Sequence, residues 1–96
     1  MPETRLRAED ERIRTLVAEI VKSLVESDDA VRVELVEEAE AVTLRLRVAD
    51  ADVGLVVGKE GRTARCIRTI LTAASMKYKR RYALDIVGAK PWQQTR

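Results

Sequence analysis

Histidine is missing from this 96-residue chain, and cysteine occurs once, as Cys66. Zinc sites and histidine-based catalysis therefore have no material. With no base nearby in the sequence pattern, Cys66 reads as a small, partly buried helix residue rather than a nucleophile. A lone cysteine also excludes an intrachain disulfide, and with it the class of disulfide-stapled secreted scaffolds. No apolar run approaches the ~18 residues that span a bilayer. The opening Met1-Pro2-Glu3-Thr4-Arg5 lacks the apolar stretch of a signal peptide, so cytoplasmic residence is the expectation. Phenylalanine is absent and aromatics make up only 3%, so the core must be built from Val, Leu, Ile and Ala.

The length suits one domain with one modest core, expected over residues 5–87 and followed by a tail, 88–96. The net charge of +2 conceals an asymmetry: residues 1–48 carry 8 Lys/Arg against 12 Asp/Glu, and residues 49–96 carry 10 against 4. Most of the excess lies in 57–81, where Lys59, Arg62, Arg65, Arg68, Lys77, Lys79, Arg80 and Arg81 face Glu60 alone. A basic segment on an otherwise acidic chain suggests an anionic partner, although on charge alone a solvated face is the better reading.

Periodicity organises the rest. Ile13, Leu16, Val17, Ile20, Val21 and Leu24 recur at steps of three and four, which predicts a helix over 5–26. Thr4 is its candidate cap, and Ser27-Asp28-Asp29 its stop. Residues 31–36 alternate, with Val31, Val33 and Leu35 on one face. Alternation resumes with Val42, Leu44, Leu46 and Val48, across the polar turn Glu37-Glu38-Ala39-Glu40. This pattern predicts an antiparallel hairpin with one buried face. Asp50 is placed to cap a short apolar helix, 51–57, that ends at Gly58. A second helix starts near Arg62, with Ala64, Ile67, Ile70, Leu71 and Ala74 inward, and Lys77-Tyr78-Lys79-Arg80 ends it. Tyr82, Leu84 and Ile86 form one face of a last strand. The predicted architecture is α+β: a two-layer sandwich in which a three-stranded sheet carries three helices on one face.

Gly58-Lys59-Glu60-Gly61 joins the two later helices. Its glycines tolerate positive φ and let another backbone approach. The helix that follows presents free N–H groups and the positive end of its dipole, which attract phosphate. Lys59, Arg62 and Arg65 add full charges beside it. A bare Gly-x-x-Gly is common by chance; its place between two helices, after a hairpin and inside the basic segment, gives it weight. A P-loop does not fit. Three residues separate Gly54 from Gly58 where four are required, and Glu60 stands where Ser or Thr must bind magnesium. Tyr78, Tyr82 and Trp92 cannot form the aromatic platform on which RRM and OB-type proteins stack bases.

The run Asp52-Val53-Gly54-Leu55-Val56-Val57-Gly58-Lys59-Glu60-Gly61-Arg62-Thr63-Ala64-Arg65-Cys66-Ile67-Arg68 resembles the KH signature. The whole resembles the small bacterial single-KH family called KhpA or YlqC, with a helix-strand-strand start of type II order. The resemblance covers roughly residues 9–87 and is most specific over 48–76. It implies a non-enzymatic protein that needs no cofactor and clamps about four nucleotides of single-stranded RNA. Carried onto this chain, the clamp is Gly58, Lys59, Glu60 and Gly61. Arg62 and Arg65 meet phosphates, and Val56, Val57, Ala64 and Ile67 wall an apolar groove. Glu60 departs mildly from the pattern, since an acid weakens phosphate attraction. The resemblance further implies RNA chaperone activity and post-transcriptional control linked to cell elongation and division. It implies homodimers, or complexes with a larger KH protein of the Jag/KhpB type. The competing reading is a KH-fold dimerisation or scaffold module, with the first helix or the glycine loop as its interface.

Overall fold

A computed structural model of the protein describes residues 6–38 and 41–88. Helix α1 spans Ala8–Lys22, strands β1 and β2 span Arg32–Glu38 and Ala41–Val48, and helices α2 and α3 span Val53–Val57 and Arg62–Tyr78. Strand β3, Arg81–Gly88, closes the order α-β-β-α-α-β. Three-residue 3-10 turns sit at Asp28–Ala30, Asp50–Asp52 and Lys59–Gly61. The cap expected at Thr4, the turn residues Ala39 and Glu40, and the tail from Ala89 with Trp92 lie outside the described residues.

The sheet has strand order β1-β2-β3. β1 and β2 pair antiparallel, with Val33 opposite Leu46 and Leu35 opposite Leu44. β2 and β3 pair parallel, with Leu44 beside Leu84 and Leu46 beside Ile86. A parallel neighbour cannot be reached by a hairpin, so the chain must cross over the sheet between them. The crossover is α2, the glycine loop and α3, and this places the loop at one end of the helical layer.

Register follows from burial. Val42, Leu44, Leu46 and Val48 are all 0% exposed. A one-residue slip would turn all four to solvent, and each is worth roughly 1.5–3 kcal/mol of burial. Leu44, Leu46 and Val48 form one core cluster with Ile13, Val17 and Val21 of α1, Val56 of α2, and Ile67 and Leu71 of α3. The opposite face of the sheet is polar and largely self-compensated. Arg45 meets Asp85 on the next strand at 3.3 Å, and Arg47 meets Glu34 at 3.6 Å.

Three sequence expectations shift. Helix α1 is shorter than 5–26: Asp10 turns back to accept the Arg7 N–H at 2.8 Å and so sets its start, and hydrogen-bonded turns end it by Val25. Of the predicted apolar stripe, Leu16 stays 42% exposed, off the buried Ile13–Val17–Val21 line, and Leu24, also 42% exposed, lies in the turn beyond the helix. Ile70 of α3 is likewise 39% exposed. Asp50 does not stand at the cap position of α2, which is Asp52; it opens the 3-10 turn before that helix. The buried carboxylate there is Asp52, 3% exposed, which accepts the Ser27 N–H at 3.0 Å and ties the α1–β1 connection to the start of α2.

Candidate nucleic-acid interface

Three of the four residues in the glycine loop have positive φ. Gly58 (φ 82) ends α2, its N–H bonded to the Gly54 carbonyl at 2.8 Å. Gly61 (φ 73) precedes α3, its N–H bonded to the Gly58 carbonyl at 3.0 Å. Between them Glu60 takes φ 56, ψ 27, a conformation strained for a residue with a Cβ. The two glycines are needed for different reasons. A Cβ on Gly58 would collide with the side chain of Thr63 and come within 2.7 Å of its nitrogen, whereas a Cβ on Gly61 would meet nothing within 4 Å. Gly58 therefore allows the two helices to join, while Gly61 leaves an open face at the entrance to α3.

That entrance is unusual in being left unneutralised. Its cap residue is glycine, no side chain caps it, and its first turn contains no acid. The aligned N–H groups and dipole of a long helix thus end at an open surface. Lys59, Arg62 and Arg65 are all exposed around it. The Arg62 guanidinium lies 3.4 Å from the Glu60 carboxylate, and Arg65 donates to the Glu60 carbonyl at 3.5 Å. Arg68, a further turn along, donates to the Leu84 carbonyl of β3 at 3.3 Å. The basic edge of α3 therefore slants from the loop to β3. There it borders a groove of about 270 Å³ lined by Arg68, Leu71, Thr72, Tyr82, Ala83 and Leu84.

The structure brings Gly58, Lys59, Glu60, Gly61, Arg62 and Arg65 together at one surface. The apolar residues divide. Val56, Ala64 and Ile67 are 0%, 3% and 2% exposed and stand in the core, with almost no surface to offer a base. Val57 is half-buried, and the large apolar side chain that α2 leaves in solvent is Leu55, 47% exposed. Helical spacing alone could not separate core from rim on so short a helix. Arg68, Thr72 and Ala83 were absent from the predicted site because only the fold lays β3 alongside α3. Cys66 is exposed rather than partly buried. Among the described residues no group of three or more His, Cys, Asp or Glu could hold a metal ion, and no helix is long and apolar enough to cross a membrane.

One member of the basic segment belongs elsewhere. Arg80, 10% exposed, grips the fully buried Asp10 through Nη2 at 2.9 Å and Nε at 3.2 Å. Tyr82 donates its hydroxyl to the same carboxylate at 2.6 Å. Burial alone would raise the Asp10 pKa. The hydrogen bonds from Arg80, Tyr82 and the Arg7 N–H, with the guanidinium charge, outweigh it and hold the carboxyl below its ordinary range. Burial first, then the bond to Asp10 and its charge, push the Tyr82 phenol well above its usual value. The Asp10 hydrogen bond likewise raises Arg80.

Two helices joined by a Gly-x-x-Gly turn, laid over a sheet in the order α-β-β-α-α-β with the last strand parallel to the second, define a KH domain of type II. Sequence comparison takes this further. The KH domain of KhpA/KhpB matches residues 14–86, and the chain belongs to that family. Relatives include the RNA-binding protein KhpA of Borreliella burgdorferi, 44% identical over 75% of this chain and 88% of that protein. The RNA-binding protein KhpA of Aquifex aeolicus is 43% identical over 78% of this chain and 95% of its own length. Among solved structures, Era in complex with MgGDPNP and nucleotides 1506–1542 of 16S ribosomal RNA shares the fold at TM-score 0.54 and 13% identity. The match covers 92% of this chain and 36% of the Era chain, so this protein spans about a third of that one.

Proposed function

We propose that this protein is a non-enzymatic, cytoplasmic RNA-binding module whose KH domain spans residues 5–87. It holds short single-stranded RNA by its phosphates at Gly58–Gly61 and along Arg62 and Arg65. The observation that carries this reading is the entrance to α3: a glycine cap with open space beside it, no acid in the first turn, and Lys59, Arg62 and Arg65 around it. Family relatives named as RNA-binding proteins support it. Backbone clamping of this kind reads little sequence, which suits an RNA chaperone or post-transcriptional regulator. By family, such a module works as a homodimer or beside a Jag/KhpB-type KH protein, in processes tied to cell elongation and division.

Titration of labelled single-stranded RNA at rising salt tests the proposal. Affinity should fall steeply, because releasing phosphate-bound counterions into more concentrated salt gains less free energy. Replacing Lys59 and Glu60 together by Asp should abolish binding while leaving the urea midpoint nearly unchanged, since both side chains are exposed. Binding that survives this pair of changes places the RNA elsewhere. A second reading, a dimerisation or scaffold module, draws on the exposed Leu16 of α1 and Leu24 in the turn that follows it. Sedimentation of the same double variant separates the two: loss of RNA binding with an unchanged oligomeric state supports the clamp, and dissociation supports the scaffold.

A further inference from the structure

A phosphate clamp with a carboxylate inside it contains its own competitor. Glu60 is the single acid among residues 57–81, and the loop holds it in a left-handed conformation that glycine would adopt without strain. In that position its Oε1 lies 3.4 Å from Arg62 Nη2, and its carbonyl oxygen accepts from Arg65 Nη2 at 3.5 Å. Both arginines beside the open helix entrance are thus engaged by oxygens of one residue, the first by a charged group and the second by a neutral one. The distances are long for hydrogen bonds, and the Arg62 and Glu60 side chains are 70% and 67% exposed. The contact is weak and readily exchanged.

We propose that Glu60 is a built-in phosphate surrogate: its carboxylate occupies Arg62 in the unliganded chain, and the incoming phosphodiester displaces it. This rests on the clamp reading above and deepens it, assigning Glu60 as a residue that lowers affinity. Two physical reasons favour displacement over coexistence. Carboxylate and phosphate oxygens take the same positions on a guanidinium fork. A carboxylate retained next to a bound phosphate is also repelled by it. Until displaced, Glu60 offsets part of the Arg62 charge and so lowers the attraction of the helix entrance for an incoming anion.

The test uses the full chain, a short labelled single-stranded RNA and the DNA of the same sequence, at several salt concentrations. Glu60→Gln keeps the size and backbone of the residue and removes its charge. It should tighten binding of both nucleic acids about two- to fivefold, the range of an exposed ion pair, and steepen the salt dependence. In an Arg62→Gln background the same change should gain less, because the carboxylate no longer has its partner to release. Glu60→Gly should show the same gain together with a higher urea midpoint, as the backbone strain is removed. Unchanged affinity in Glu60→Gln, or an equal gain with and without Arg62, overturns the proposal. Weaker binding of RNA but not DNA overturns it too, by making Glu60 an acceptor for the ribose 2′-hydroxyl. If the unmodified chain shows no salt-dependent binding, the clamp reading fails as well; if it binds and Glu60→Gln is silent, only the surrogate fails.

Discussion

Helices α1 and α3 begin in opposite ways. The first turn of α1 carries Glu9, Asp10 and Glu11. Asp10 folds back onto the Arg7 N–H and is itself enclosed by Arg80 and Tyr82. The first turn of α3 carries no acid, its cap is glycine, and cations surround it. Both termini present the same partial positive charge. At α1 the chain satisfies it internally, and the result is a cross-link between the first helix and the last strand. At α3 the chain leaves it to an external anion, and the result is a binding surface. A helix terminus is thus structural or functional according to whether a carboxylate of the chain closes over its N–H groups, as Asp10 does at α1 and Glu60, turned to Arg62, does not at α3.

The comparison breaks most readily at α1. Asp10→Ala removes the cap and both short contacts to the buried Arg80, leaving the Glu37 carboxylate 4.0 Å away as its neighbouring anion, at a cost of about 3 kcal/mol in urea denaturation. RNA affinity of the folded fraction should change less than about twofold, since the α3 entrance is untouched. Stability should also depend on pH. Unfolded, Asp10 titrates near its ordinary value of about 3.9, and folded, it titrates lower. Its contribution is therefore complete above about pH 4 and is lost as pH falls through the folded value. At the alkaline end Tyr82 resists ionisation in the folded state, so its contribution is complete below about pH 10 and declines above it. A thermal-melt profile that stays level from neutral pH down to well below pH 4 would remove Asp10 from this role.

The glycines give the next largest effect. Gly58→Ala meets both positive φ and the Thr63 backbone, so it should cost about 2–4 kcal/mol; Gly61→Ala meets positive φ alone and should cost about 1 kcal/mol. Equal losses in urea midpoint would show that Gly58 is not shaped by close packing. The smallest effect, that of Arg62→Gln on stability, separates the two arginine types when set beside Arg80→Gln. Arg62→Gln should leave stability within about 0.5 kcal/mol and lower the salt slope of RNA binding by about 0.7. Arg80→Gln should lower stability and leave the slope unchanged. A slope that also falls in Arg80→Gln would return that residue to the binding surface.

Much of this was legible in the chain. Strict alternation over Val42–Val48 identified the central strand, and all four inward residues are completely buried. The loop between two helices, with its flanking cations, was recognisable from residue type and spacing. Other features were not. Leu16 and Val17 are both apolar and both lie on the predicted stripe, yet one is 42% exposed and the other 0%, because adjacent helical residues point about 100° apart and only the docking of α1 decides which of them enters the core. Arg80 counted with the basic segment, although 70 residues earlier in the chain Asp10 waits to bind it. Glu60 read as a clamp residue whose charge departs mildly from the pattern, and its left-handed backbone emerges only from the closure of two helices across four residues.

By itself, then, the sequence determined the local character of the protein: which segments are helix or strand, an aliphatic core, and a glycine turn followed by a helix whose first turn lacks acid. These follow from side-chain periodicity and backbone freedom, which neighbours along the chain suffice to set. The tertiary structure alone decided which charges are available. Parallel pairing of β3 with β2 carries Arg80 and Tyr82 to Asp10 and withdraws them from solvent. It also lays β3 beside α3, where Arg68 reaches the Leu84 carbonyl. Charge availability depends on contacts between residues distant in sequence, and no pattern of near neighbours encodes it.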